Sequence, residues 1–119
     1  MGIFEGMIEG LGQALDLYQS RHRVLAENVA NAETPGYRAR DLDFGAALAE
    51  AFDGRSGAPA GTPEAVVDPK APVKLDGNSV DVDSEMARLS QNALKIVALS
   101  QIIARKYAGL RSIITDGRS

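Results

Sequence analysis

Four stretches of this chain hold residue types that could do chemistry: His22, the acidic run from Asp76 to Glu85, the glycines between Gly2 and Gly12, and the segment from Asn28 to Tyr37. A histidine can move a proton or hold a metal near neutral pH. His22 is the sole histidine, and no serine, cysteine or second histidine forms a constellation with it. It falls on an apolar helical seam, which points to a packed core or interface residue. Asp76-Gly77-Asn78-Ser79-Val80-Asp81-Val82-Asp83-Ser84-Glu85 invites a calcium reading. It fails the EF-hand template, because Val80 stands at the third ligand position and the glycine comes too early. The simpler reading is a Gly-Asn turn leading into a capped helix. Gly2 to Gly12 lacks both the lysine of a phosphate loop and a preceding strand. Paired carboxylates for acid–base work would need a pocket, and none is evident. The sequence therefore leads to no catalytic, metal or cofactor site.

The fourth stretch is conformational. Pro35 biases Thr34 away from the right-handed helix, and Thr34-Pro35-Gly36-Tyr37 has the chemistry of a type II turn, with glycine where φ is positive. Asn28 and Asn31 lie three apart on one face of the preceding helical turns. Asparagine is a poor helix former, so two of them among alanines suggest a polar, closely packed junction at a helix end.

Two long helices must position that junction. Leu11, Leu15, Tyr18, His22, Leu25, Val29 and Ala32 alternate at spacings of four and three, as do Met86, Leu89, Ala93, Ile96, Ser100, Ile103, Tyr107, Leu110 and Ile114. Leu99, Ile102 and Ile113 widen the second stripe, so that helix needs more than one neighbour. The expected fold class is mainly α: two long terminal helices form an antiparallel coiled-coil-like hairpin, joined through a short helix and an irregular Gly/Pro-rich middle loop. Residues 1–33 form the first helix, its first ten or so residues frayed in the free chain because glycine there weakens helix. Residues 34–53 hold the turn, an extended segment at Asp41 to Phe44 and a short helix from about Gly45 to Phe52 with Asp43 as N-cap. Residues 54–80 form a flexible or irregular loop, with short strands at Val66-Val67 and Val73 to Leu75. Residues 81–116 form the second long helix, all in one structural domain. An antiparallel hairpin brings Glu5 and Glu9 to Lys106 and Arg111, sets Glu27 near Arg88, and places Lys95 unfavourably near Arg21 and Arg23.

Composition narrows the function. With 119 residues and a net charge of −3, the chain has no electrostatic footprint for nucleic acid. It is 45% hydrophobic but has no Trp and only three Phe and three Tyr, so few large anchors support a self-sufficient core. Without cysteine, thiol catalysis and disulfides are excluded. Met1 to Gly12 has no basic start or uninterrupted apolar stretch, so no cleaved secretory signal is expected. No apolar run has the length of a membrane span.

Ala26-Glu27-Asn28-Val29-Ala30-Asn31-Ala32-Glu33-Thr34-Pro35-Gly36-Tyr37, followed by Asp41-Leu42-Asp43-Phe44, closely resembles the N-terminal signature of bacterial flagellar axial proteins of the rod and hook class. The stretch from Asp76 to Ala87, then Asn92-Ala93, and the small size narrow the resemblance to the proximal rod proteins of the FlgB family. The resemblance implies a structural subunit of the basal-body proximal rod, carried out of the cytoplasm by the flagellar type III apparatus without a cleaved signal. It would polymerise in the periplasm into a helical shaft that transmits torque. The implied partners are other copies of itself, other rod proteins, and membrane-ring and export-gate components at the rod base, with no nucleic acid and no small-molecule substrate. The site it implies is an interface: Asn28, Asn31, Thr34, Pro35, Gly36, Tyr37 and Phe44 at the junction, and Leu89, Ile96, Ile103 and Leu110 along the inner helix seam. The competing class is a soluble coiled-coil adaptor or export chaperone, which would form a discrete dimer.

Overall fold

In the computed structural model, residues 2–53 and 63–116 are described. The chain is mainly helical. Element α1 spans Gly2–Ala30, β1 Arg40–Leu42, α2 Phe44–Asp53, β2 Ala65–Val67 and α3 Val82–Asp116. The molecule is a rod of 69 × 27 × 16 Å, its length set by α3, since 35 residues at about 1.5 Å each span roughly 52 Å.

The two long helices run antiparallel, as the stripes and charges lead one to expect. Asn28 of α1 meets Glu85 near the start of α3, and Tyr18 and His22 meet Asn92 two turns further on. Each long helix begins or ends where local chemistry says it should. Asp81 is the N-cap of α3: its carbonyl accepts from Glu85 N, and its carboxylate accepts from the N–H groups of Asp83 and Ser84 and from the Ser84 hydroxyl. Helix α1 unwinds beyond Ala30 into the Thr34-Pro35-Gly36-Tyr37 turn, closed by Tyr37 N donating to Thr34 O at 3.2 Å. Gly36 has φ +77, the positive value that the third position of a type II turn requires.

The short helix α2 is capped by Asp43, whose carbonyl accepts from Ala47 N, and lies across α1. Leu17, Ala47 and Ala51 are buried between them, with Phe44 and Leu48 packed alongside. A close approach makes this possible: a Cβ on Gly10 would sit 3.2 Å from Phe52 Cδ1 and 3.3 Å from Ala51 O. The buried residues of α1 are Gly10, Ala14, Leu17, Leu25 and Asn28: Leu25 belongs to the apolar seam read in the sequence, and the other four each lie one residue before a seam position. Apolar spacing found the shoulder that meets α3; the α2 side is lined partly by Gly10 and Ala14, which carry little hydrophobic signal.

In the middle region, β1 and β2 pair antiparallel, Asp41 opposite Val66. The expected strand at Val66-Val67 is there. The one at Val73 to Leu75 is not: Lys74 closes a turn by donating to Asn78 O and accepting from Gly77 N, and Leu75 points fully into solvent. Residues 54–62 of the expected loop lie outside the described residues. No helix of the described chain is long and apolar enough to cross a membrane.

Candidate functional site

The two sequence motifs meet, 47 residues apart in the chain, and build one polar junction at the closed end of the hairpin. Asn78, fully buried, donates from Nδ2 to Asn31 O at 2.9 Å and to Thr34 O at 2.7 Å. These carbonyls lie one and four residues beyond the end of α1 at Ala30, so a loop asparagine holds the turn in which a distant helix terminates. Its Oδ1 accepts from Val80 N at 2.7 Å. The adjoining backbones then zip together: Gly36 N donates to Asp76 O, Ser79 N to Tyr37 O, and Ala39 N to Ser79 Oγ, all within 2.9 Å. At the centre, a Cβ on Gly77 would stand 3.3 Å from Gly36 Cα, and Gly77 itself has φ +83. Two left-handed glycines pack back to back. Gly77→Ala is expected to destabilise by about 1–2 kcal/mol for the positive φ and further for the contact with Gly36. Gly36→Ala, where a Cβ meets nothing within 4 Å, carries the conformational cost alone. Amide exchange at position 36 and at Ser79 in the two variants checks the order.

Asn28 is the second buried asparagine, and all four of its hydrogen-bonding positions are used. Nδ2 donates to Arg40 O at 2.7 Å and to Glu85 Oε2 at 3.2 Å. Oδ1 accepts from Arg40 N at 3.0 Å and from the Tyr37 hydroxyl at 3.3 Å. Its side-chain amide pairs with both the N–H and the carbonyl of Arg40, as a neighbouring strand would. One side chain therefore ties α1 to β1, to α3 and to the turn. Asn31 is half-buried; its Nδ2 donates to Glu27 O and its Oδ1 accepts from the Thr34 hydroxyl. Thr34, Pro35 and Gly36 are exposed and Tyr37 is half-buried.

Phe44, expected at the junction, packs instead over the middle of α1, about 13 residues or 20 Å along the chain's helical path from Asn31. Its ring lies 4.5 Å from that of Tyr18 and under the Arg21 guanidinium, 5.2 Å away. Arg21 also grips Asp41 through two bonds of 3.0 and 2.9 Å. Two expected charge contacts are replaced. Glu27 pairs with Arg40 at 3.0 Å while Arg88 turns to Glu85 at 3.5 Å, because β1 folds back across α1 and reaches Glu27 first. Arg21 faces Asp41 and not Lys95, which lines a groove with Ala14 and Tyr18.

Leu89, Ile96, Ile103 and Leu110 are half-buried along one side of α3. By helical spacing it is the side that carries Glu85 and Asn92, the residues bonded to α1. His22 stands in this seam with Nδ1 3.3 Å from Asn92 Nδ2, which also donates to Tyr18 O at 2.8 Å. Sequence reading passed over Arg21, Arg40, Asn78 and Glu85 as site residues. Asn78 could have been found from the demand for a partner to the carbonyls of the turn after α1; nothing local marks the partners of Glu85.

At the other side of the junction the Ser84 hydroxyl and backbone N–H hold the Asp81 carboxyl below its ordinary range. A folded-state value below the unfolded one contributes stability that is full above the unfolded value and lost as pH falls through the folded one. The start of α3 is thus expected to keep its cap at mildly acidic pH and to fray only below the ordinary aspartate range. Asp81→Ala should fray it at all pH values, seen as faster amide exchange at Asp83 and Ser84.

No family model matches this chain. Curated relatives do. It is 39% identical over 114 residues to the flagellar basal body rod protein FlgB of Cereibacter sphaeroides, covering 86% of this chain and 88% of that one. It is 32% identical to the FlgB of Escherichia coli (strain K12) over 88% of this chain and 90% of the relative. The FlgB of Yersinia enterocolitica is 29% identical over 95% of this chain and 96% of its own length.

Proposed function

The chain belongs to the FlgB family of flagellar basal body rod proteins, and on that premise we propose that it is a proximal-rod subunit that completes its fold by polymerising. The observation that carries this reading is the apolar surface left open. Ile3 is 84% exposed and Ile113 65%, both toward the open end of the hairpin, and Leu94 is 70% exposed further along α3. A stable monomer rarely leaves such residues along whole helices; a subunit of a tube covers them with its neighbours. In this reading the chain leaves the cytoplasm through the flagellar type III apparatus, without a cleaved signal, and assembles in the periplasm above the membrane ring. Its partners are its own copies, other rod proteins, and ring and export-gate components at the base. Neighbours dock on the exposed turn at Thr34 to Gly36 and on the α3 seam at Leu89, Ile96, Ile103 and Leu110. The buried Asn28 and Asn78 brace the junction behind that turn, so torque arriving at one helix passes to the other.

Coupled folding is part of the proposal. Burial between subunits at roughly 25 cal/mol per Å² offsets the ordering entropy of the long helices. The isolated protein is expected to have low helicity, frayed first turns and a broad, weak thermal transition in circular dichroism, and to sediment as a monomer until rod partners are added. A cooperative, fully helical species sedimenting as a defined dimer would favour the adaptor or chaperone reading.

A further inference from the structure

We propose that the apolar groove between α2 and α3 receives the first two turns of α1 from a second copy of this chain, an assignment that rests on the polymerisation reading above. The groove, about 240 Å³, is lined by Ala14, Tyr18, Phe52, Leu99 and Ile102, and Lys95 is its charged group. Phe52 and Ile102 are 55% and 40% exposed, so the cleft is open as well as apolar. Its occupant should be an apolar stripe with a carboxylate at its flank.

The first turns of α1 have that form. Phe4 and Met7 are 48% and 40% exposed and lie three apart on one side of the helix. Glu5, exposed, follows Phe4 at the edge of that stripe, where a lysine stem can reach it. A Cβ on Gly2 or Gly6 would meet nothing within 4 Å, so the backbone there is open to close approach. The segment cannot enter its own groove. Eleven residues of the same continuous helix separate Ile3 from the groove residue Ala14, roughly 16 Å at about 1.5 Å each. Knob and groove are therefore different surfaces that meet only between copies. Such a head-to-tail contact does not close on itself and generates an open array.

The chain has no cysteine, so introduced ones report alone. Cells that make this chain are given two single-cysteine versions, Glu5→Cys and Lys95→Cys, both at exposed positions, and their basal bodies are isolated and mildly oxidised. The expected result is a disulfide between the two versions, absent when either is present by itself. A second measurement uses charge. Lys95→Glu and Glu5→Lys are each expected to lower the amount of this chain incorporated into rods about fivefold, with recovery in the double variant, as an exposed ion pair would. Assembled rods that contain both cysteine versions without the mixed bridge would overturn the groove assignment and leave the rod reading standing. A bridge from position 95 to a different protein would overturn the second copy as occupant. In cells making the tagged, unsubstituted chain, isolated rods that contain no copy of it would overturn the rod reading itself.

Discussion

Asn28→Leu is expected to dissolve the junction while leaving the helical pattern of the sequence intact. The substitution removes four hydrogen bonds in one step: those to Arg40 O, Glu85 Oε2, Arg40 N and the Tyr37 hydroxyl. Leucine is close in volume, so lost packing is not the main effect. The cost comes from the groups left behind. A buried donor or acceptor stranded without a partner costs about 1–3 kcal/mol, and the Arg40 peptide has both of its groups stranded. Glu85, itself buried, keeps only the long contact to Arg88. A total of roughly 3–5 kcal/mol is expected, a large part of what a small domain has. Amide exchange in assembled basal bodies is the suitable readout, because the junction is ordered there and no two-state melt is needed. Protection at Tyr37, Ala39 and Arg40 should fall about a hundredfold or more at 1.4 kcal/mol per decade. Asn28→Asp separates shape from chemistry. It keeps the acceptor for Arg40 N, loses both donors, and sets a carboxylate against Glu85. Protonating that carboxyl restores one donor, so its deficit should narrow as pH falls, while that of Asn28→Leu should not. Unchanged protection in the leucine variant would remove Asn28 as the tie between α1, β1 and α3.

That variant also marks the boundary of what can be read from the residues in order. The helices were legible because their causes are local: spacings of three and four, the Pro35-Gly36 stop, Asp43 as a cap, and the acidic start of the second helix near Asp81. The turn was legible for the same reason, since only glycine takes φ +77 without cost. The meaning of the asparagines was not. Asn78 reads locally as one half of a Gly-Asn turn; its decisive bonds go to Asn31 and Thr34, across 47 and 44 positions. Nothing in spacing or propensity measures such a separation. The α2-facing side of α1 escaped for a different reason. Gly10 and Ala14 are buried because they are small, and hydrophobic periodicity weighs size. Charge pairing along two idealised helices missed Arg40 because β1, a three-residue strand, brings a guanidinium over Glu27 that no helix-to-helix register contains.

Ile103→Asp is expected to abolish rod assembly and swimming while leaving export intact. Ile103 is half-buried on the side of α3 that carries the α1 contacts, seven residues from both Ile96 and Leu110. Within one chain the new carboxylate has a route to solvent, so the hairpin should weaken without collapsing. In the proposed assembly that route closes when a neighbour covers the seam, and an unpaired charge held out of water costs several kcal/mol per site. The cost recurs in every copy along the tube, which turns a moderate defect in the subunit into failure of the polymer. In the proposed route export should survive, because it calls for a chain that unfolds easily, and this variant should unfold more easily than its parent. Three readouts therefore separate the outcomes: exported protein by fractionation, rods by microscopy of isolated basal bodies, and swimming on soft agar. Ile103→Val, which keeps an apolar side chain and loses one methylene, should swim nearly as the parent does. If Ile103→Asp swims normally, the α3 seam is not a subunit contact, and the weight of assembly passes to the outward residues Leu94 and Val97, whose exposure of 70% and 53% is then the larger unpartnered surface. If instead the protein is no longer exported, the seam is read before assembly, by the export apparatus.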